Sequence, residues 1–234
     1  MEQLYNVNGL IFWSEREINA RRMVEGHVVQ AVKDSLKSVN RAWELFQVEA
    51  PILTPQTFVN PNYSAADMFA TSGTAKDSNG VDVNLIARPE TTMGSYVYAK
   101  HLLNPHNDQK VRMPLVVWQH GKSFRREQDQ PTKFMRLKEF WQLEFQCIYS
   151  LTTGVDYAEK LIPAVRDALV KLVGNCNLVQ SDRLPDYSES TTDIEHVESG
   201  MELCSCSKRL DFDGAKVLEI AVGTDRVVSK FLGV

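Results

Sequence analysis

An α+β domain, an antiparallel sheet flanked by helices, is the fold class this sequence predicts, and three observations predict it. A long helical periodicity lies near the N-terminus. Two apolar runs, Leu115–Phe124 and Leu137–Tyr149, are separated by a polar loop. A strand-rich segment from Met201 onward passes into a terminal helix.

The elements follow in order. From Arg16 to about Trp43, Ile18, Met23, Val28, Val29, Val32, Leu36 and Val39 recur at helical spacing with charges between them. Ser14 and Glu17 form the pattern of a capping box in front of it. Leu45–Pro51 reads as a short strand stopped by proline, and Thr54–Asn62 as loop. Ser72–Gly80 is polar and reads as a turn, and Val81–Ile86 alternates as a strand. Thr91–Leu103 reads as a helix halted before Asn104-Pro105. The runs Leu115–Phe124 and Leu137–Tyr149 read as antiparallel strands joined by Glu127–Lys133, which holds Pro131. Val155–Val173 is an amphipathic helix closed by Gly174. Met201–Cys206, Arg209–Phe212 and Lys216–Val222 read as strands, and Thr224–Leu232 as a last helix ended by Gly233.

Composition narrows the function. The 234 residues suit one large domain spanning 1–234, with no repeat, low-complexity tract or long linker. The net charge of −4 argues against coating nucleic acid by bulk electrostatics, though a local basic groove stays possible in principle. No apolar run reaches the roughly 18 residues of a membrane helix, so no membrane partner is expected. The Met1–Asn6 start lacks the basic and apolar regions of a secretory signal. Cys147, Cys176, Cys204 and Cys206 show no paired zinc spacing, which fits a reduced, cytoplasmic setting. Cys204 and Cys206 would face one side of a strand, and His101 and His106 flank a helix end; no nucleophile stands out.

Three short stretches could together hold a nucleoside triphosphate. In Phe124-Arg125-Arg126-Glu127, Arg125 and Glu127 share a strand face. Arg125 can grip phosphate with a fixed, bidentate charge, and Glu127 can accept from an adenine amino group. Arg136, across the loop, could reach the outer phosphates, and Phe140 could stack on the base. In Glu219-Ile220-Ala221-Val222-Gly223-Thr224-Asp225-Arg226, an acid and an arginine flank a strand–helix turn. Glu219 suits a magnesium ligand and Arg226 a terminal phosphate. In Arg88-Pro89-Glu90, proline fixes the backbone between opposite charges, and Glu90 is placed for an ammonium group. Plainer readings remain open at this stage: a surface hairpin with solvated charges, a helix capped by Thr224 or Asp225, and a loop ion pair. None of them explains Glu219 in an otherwise apolar strand.

These stretches, in this order, resemble the ATP-binding motifs of class II aminoacyl-tRNA synthetases, most closely those of the glycyl enzymes. Residues of about 16–51, ending in Pro51, resemble motif 1, which builds the dimer interface in that family. About 115–149 resembles motif 2 and about 216–232 motif 3. Ala87-Arg88-Pro89-Glu90-Thr91 is similar to the R-P-E-T stretch of glycyl enzymes, and Arg209-Leu210-Asp211-Phe212-Asp213 to their R-T-D-(F/Y)-D stretch. The resemblance implies that Arg125 and Arg226 are the catalytic cations, on the α- and γ-phosphates of ATP. Glu127 would contact adenine, Phe140 would stack beneath it, Arg136 would touch the tail phosphates and Glu219 would bind Mg2+. Glu90 would bind the amino group of the amino acid, with Glu144 and Glu202 as further candidates for that pocket and Arg88 and Ser205 beside it. A homodimer is implied, as are a glycine-sized substrate and a tRNA or tRNA-like acceptor.

Two departures qualify this. Glycyl enzymes carry an E-L-E-G-like segment where this chain has Glu202-Leu203-Cys204-Ser205, which puts glycine specificity in question. The chain also ends soon after motif 3, so the anticodon-binding domain usual in this group is not in it. The expectation is therefore a minimal adenylate-forming ligase. The alternatives are an amino-acid ligase loading a carrier protein or small molecule, and a non-catalytic accessory subunit.

Overall fold

The computed structural model describes residues 5–7, 9–40, 42–77, 79–126, 136–182 and 184–233. In chain order the elements are β1 (Tyr5–Val7), β2 (Leu10–Phe12), α1 (Glu15–Val39), β3 (Glu44–Gln47), β4 (Leu53–Pro55), β5 (Phe69–Lys76), β6 (Asp82–Ala87), α2 (Thr92–Leu103), β7 (Leu115–Phe124), β8 (Glu139–Ser150), α3 (Ala158–Val173), β9 (Cys176–Gln180), β10 (Ser188–His196), β11 (Met201–Arg209), β12 (Ala215–Gly223) and α4 (Thr224–Leu232). Seven strands form the main sheet in the order β3-β7-β8-β12-β11-β10-β9. Every neighbouring pair is antiparallel except β3 with β7. A three-stranded sheet, β4-β6-β5, and the β1–β2 hairpin complete the strands.

Strand alternation divides the main sheet into two unlike faces. On β8, Leu143, Phe145 and Cys147 are fully buried with Val24, Val28 and Val32 of α1, Leu161 and Leu169 of α3, and Val227 and Val228 of α4. Each such side chain contributes about 2 kcal/mol from burial alone. On the other face, α2 covers only one end, where Tyr96, Ala99 and Leu102 pack on Leu115, Val117, Ile148 and Val217. The remainder of that face is polar: Gln142, Glu144 and Gln146 on β8, Glu219 on β12, Ser205, Ser207 and Arg209 on β11. An apolar floor on one side and a polar platform on the other is what positions the site.

Local chemistry sets the helix ends. Ser14 and Glu17 do form a capping box at the start of α1. Gly233 closes α4 in the left-handed conformation (φ 66°), and Gly174 follows α3. The helix expected to reach Trp43 stops at Val39. The Asn40 side chain accepts from the Ala42 N–H (2.9 Å), and the chain turns so that Trp43 packs on Tyr149 and Tyr157.

Four other expectations need correction. Ser72–Gly80 is not all turn: β5 runs to Lys76 and pairs with β6. It is exposed on both faces, so it shows no alternation. Thr54–Asn62 is not all loop, since β4 reaches Pro55 and a 3-10 turn covers Gln56–Phe58. Arg209–Phe212 is not a separate strand, because β11 runs unbroken to Arg209. β9 and β10 were not expected at all; β10 buries Ser188, Thr191, Asp193 and His196 and only one apolar residue, Ile194, so it carries little hydrophobic signal.

Candidate active site

Register across the sheet places the polar residues in rows. Gln119, Glu144, Ala221, Ser205 and Asp193 lie side by side on successive strands. One step along the strands, the next row runs Val117, Gln146, Glu219, Ser207 and Thr191. Towards the other end lie Gly121, Gln142 and Gly223, and then Ser123 and Phe140. The centre of the platform is thus made of small residues, Ala221, Ser205 and Ser207, rimmed by carboxylates and amides.

The loop that carries Glu90 is clamped onto this platform. Arg88 is buried, and its guanidinium donates to the Ala50 carbonyl (2.6 Å), the Lys122 carbonyl (2.8 Å) and Gln119 Oε1 (3.2 Å). A side chain at Gly121 would collide with it, so glycine there is required by a neighbour that cannot move. Thr91 Oγ1 donates to Glu144 Oε2 (2.7 Å), and the Gln119 amide donates to the Thr91 carbonyl (2.9 Å). Arg88, expected in the amino-acid pocket, is therefore spent on holding the loop.

Four ionisable groups meet under that loop. Both Glu219 oxygens accept from Arg209 (3.0 and 3.2 Å), and Oε2 also accepts from Thr92 Oγ1 (2.9 Å) and Gln146 Nε2 (2.8 Å). Gln146 bridges to Glu144 as well (2.8 Å). Arg209 is held by Asp211 and lies 3.9 Å from the centre of the Tyr187 ring. Burial works against its charge, but Glu219 and Asp211 outweigh that and it stays protonated. Glu90 is pushed up to about 8, first by burial and then by Glu219 and Glu144, against the pull of Arg209 and Arg125. Glu144 is pushed up to about 7 by burial and by Glu219. In this pocket Glu90 Oε1 and Gln146 Oε1 are buried acceptors without a hydrogen-bond partner among the described residues; Asp193 Oδ1, further across the platform, is another. A pocket of acceptors wanting donors is built for a cation rich in N–H groups.

The two expected phosphate arginines lie at one end of this same face. Arg125 donates to the Pro89 carbonyl (3.0 Å) and to Tyr63 Oη (2.9 Å), and its guanidinium lies 5.1 Å from the Phe140 ring centre. Phe140 shares the strand face of Gln142 and Glu144. Arg226, in the first turn of α4, lies over Gly223: its Cδ is 3.4 Å from where a side chain at Gly223 would begin. Gly223 alternates with Ala221 and Glu219, so Arg226 is over the same platform.

Other expected residues fall elsewhere. Glu202 bonds to Arg226 (3.1 Å) at the rim and does not join the Glu90 pocket. Arg136 is exposed at the returning foot of the hairpin loop, in a left-handed conformation (φ 58°). Ser205 is on the platform, beside Ala221. Glu127 lies outside the described residues. Glu219 does not fit a metal ligand, because three donors, Arg209, Thr92 and Gln146, already make four hydrogen bonds to its carboxylate. Among the described residues no three His, Cys, Asp or Glu side chains gather into a metal-binding group. Cys204 and Cys206 face the helix side, with sulfurs 3.7 Å apart, in the apolar core.

Sequence reasoning missed Tyr63, Gln146, Asp193 and the central role of Arg209. Gln146 had a readable signal: Gln142, Glu144 and Gln146 alternate with Leu143, Phe145 and Cys147 on an otherwise apolar strand.

The fold is that of a class II aminoacyl-tRNA synthetase catalytic core. The prolyl-tRNA synthetase of Cryptosporidium parvum, solved with halofuginone and AMPPNP, superposes with a TM-score of 0.74 at 14% identity, covering 98% of this chain and 48% of that one. The Giardia lamblia prolyl-tRNA synthetase in complex with prolyl-adenylate gives 0.72 at 16%, covering 97% and 49%. In sequence, the chain is similar to glycine–tRNA ligases. That of Staphylococcus aureus (strain JH9) is 30% identical over 160 residues, 65% of this chain and 33% of that protein. That of Mycoplasmopsis synoviae (strain 53) is 29% identical over 114 residues, 47% and 25% respectively. The chain thus spans a quarter to a third of the length of these relatives in the matched regions. No protein-family model matches it.

Proposed function

We propose that this chain activates an amino acid with ATP, forming an aminoacyl-adenylate and releasing pyrophosphate, and passes the aminoacyl group to a tRNA or tRNA-like acceptor. One observation carries the reading: on a single sheet face, two arginines stand at one end, and at the other lie two buried acceptors without a partner among the described residues, Glu90 Oε1 and Gln146 Oε1. That arrangement matches a triphosphate and an ammonium group in line. Glycine–tRNA ligase relatives and structural neighbours holding AMPPNP or prolyl-adenylate support it.

In this reading Glu90 holds the substrate ammonium group, with Glu144 and Glu219 closing the pocket from the sheet. Arg209 holds Glu219 in place through two hydrogen bonds. The substrate carboxylate attacks the α-phosphorus and the bond to pyrophosphate breaks opposite it. Arg125 orients the α-phosphate and offsets the charge that develops there, while Arg226 takes the terminal phosphate. Phe140 supports the adenine ring, Glu127 its amino group, and Arg136 the tail phosphates. Magnesium accompanies ATP in general chemistry, but the described residues do not form its site. A homodimer is part of the proposal: β3 is an edge strand, paired only with β7, at the end of α1. A cytoplasmic setting is proposed too, in keeping with four free, buried cysteines.

Amino-acid-dependent exchange of labelled pyrophosphate into ATP tests the reading. At least one of the twenty amino acids should give exchange well above background. Twenty blanks would leave a non-catalytic synthetase-like subunit. A carrier-protein acceptor is the alternative to tRNA. Charging of total tRNA with the active amino acid, in nuclease-sensitive form, decides for tRNA.

A further inference from the structure

Beyond the ammonium pocket, the platform continues across two more strands to a second buried acceptor. Asp193, on β10, is 8% exposed, and its Oδ1 has no hydrogen-bond partner among the described residues. It shares the platform face. Its neighbour two positions away, Thr191, bonds across to Ser207 (3.1 Å), and Ser207 pairs directly with Glu219. Asp193 itself pairs with Ser205, which pairs with Ala221, which pairs with Glu144. Between the carboxylates of Glu144 and Asp193 there are therefore only a methyl and a hydroxymethyl group. Two large side chains there would have filled the floor; two small ones leave room above it. Glu144 and Asp193 stand three strand spacings apart, about 14 Å between backbones.

A buried carboxylate oxygen with no donor is costly, and a bound group that brings a donor relieves that cost. Its row neighbours, Ser205 and Val179, give Oδ1 no donor. Glycine, expected from the resemblance, would leave this acceptor unmet after binding.

Resting on the reading that the chain activates an amino acid here, we infer that Asp193 is a specificity-determining residue, and that the substrate is an amino acid whose side chain carries a hydrogen-bond donor, met by Asp193 across Ala221 and Ser205. A site built to accept from a substrate group rejects the analogue that lacks it, because its own buried acceptor is then stranded. Glycine and alanine are accordingly poor substrates.

The test is pyrophosphate exchange with the full chain, comparing wild type, Asp193→Asn and Asp193→Ala over the twenty amino acids. In the wild type the best substrate should carry a side-chain hydroxyl, amide, amine or guanidinium group. Asp193→Ala should lower kcat/KM for that substrate by about tenfold or more while leaving exchange with glycine or alanine within about twofold. Asp193→Asn, which keeps one acceptor oxygen, should retain more of the discrimination. The inference is overturned if glycine or another amino acid without a side-chain donor is the best wild-type substrate. It is equally overturned if Asp193→Ala lowers all substrates in proportion, the mark of a merely structural residue. Either result would leave amino-acid activation standing. Exchange with no amino acid at all would remove the activation reading itself, and a binding measurement by thermal shift with donor-bearing and donor-free amino acids would then judge Asp193 alone. Equal shifts would overturn it.

Discussion

Glu90 shows how a single buried side chain can be read physically. Its carboxyl is pushed up to about 8, chiefly by burial. The folded protein therefore keeps a proton there at pH values where the unfolded chain, near 4.5, has lost it. A raised acid lends stability below the unfolded value and loses it as pH climbs towards 8. The slope for one such group approaches 1.4 kcal/mol per pH unit within the window. Glu90→Gln should flatten the fall in stability between about pH 5 and 8, measured by urea unfolding, and should be at least as stable as wild type at pH 8. A slope unchanged by the substitution would mean that Glu90 is ionised throughout. The residue was legible in the sequence as the acid after a rigid Arg-Pro pair. Its partners were not: Tyr63, Glu144 and Arg209 come from three distant segments, and no local spacing brings them together. Arg88 shows the opposite error. A charge beside a functional acid reads as functional, yet burial and three backbone or amide acceptors make it a clamp.

At the scale of elements, legibility follows apolar contrast. β7 was read with both ends correct and α4 likewise, because each sets apolar residues against charges at a regular period. β10 escaped because a strand facing the polar platform carries Ser, Thr and Asp where a core strand would carry Val or Ile, and β9 because it is a short edge strand exposed along most of its length. β5 escaped because neither of its faces is buried. The docking of α2 makes a prediction at this scale. Gly94 sits in its first turn, where an added methyl would collide with the Ala50 side chain. Helix propensity alone would favour Gly94→Ala by about 1 kcal/mol. Overpacking between the helix and a fixed chain segment costs about 1–3 kcal/mol and should win. Gly94→Ala should lower the melting temperature by a few degrees. A rise would show that α2 docks more loosely than the contacts indicate, and that the Glu90 loop at its N-terminus is less firmly held.

Over the whole molecule, one design feature organises the rest. The main sheet buries its apolar face under three helices and leaves part of its other face uncovered by α2, and that part carries the polar platform. The class of fold could be read from the order of helices and strands, but the shared cleft could not, since Arg125 and Arg226 are separated by about a hundred residues in sequence. Their convergence depends on β8 lying between β7 and β12, a fact of topology that no local pattern encodes. Aromatic packing of Phe140 beneath Arg125, and the absence of a side chain at Gly223 beneath Arg226, keep both guanidinium groups over the platform.

Pyrophosphate exchange in Arg125→Ala and Arg226→Ala, each compared with wild type on its best amino acid, probes that convergence most directly. Both variants should unfold cooperatively yet lose about 100-fold or more in rate, as removal of a charge-stabilising donor typically does. Wild-type rates in either variant would contradict the account, because an arginine whose loss costs nothing is not holding the phosphates of the reacting ATP.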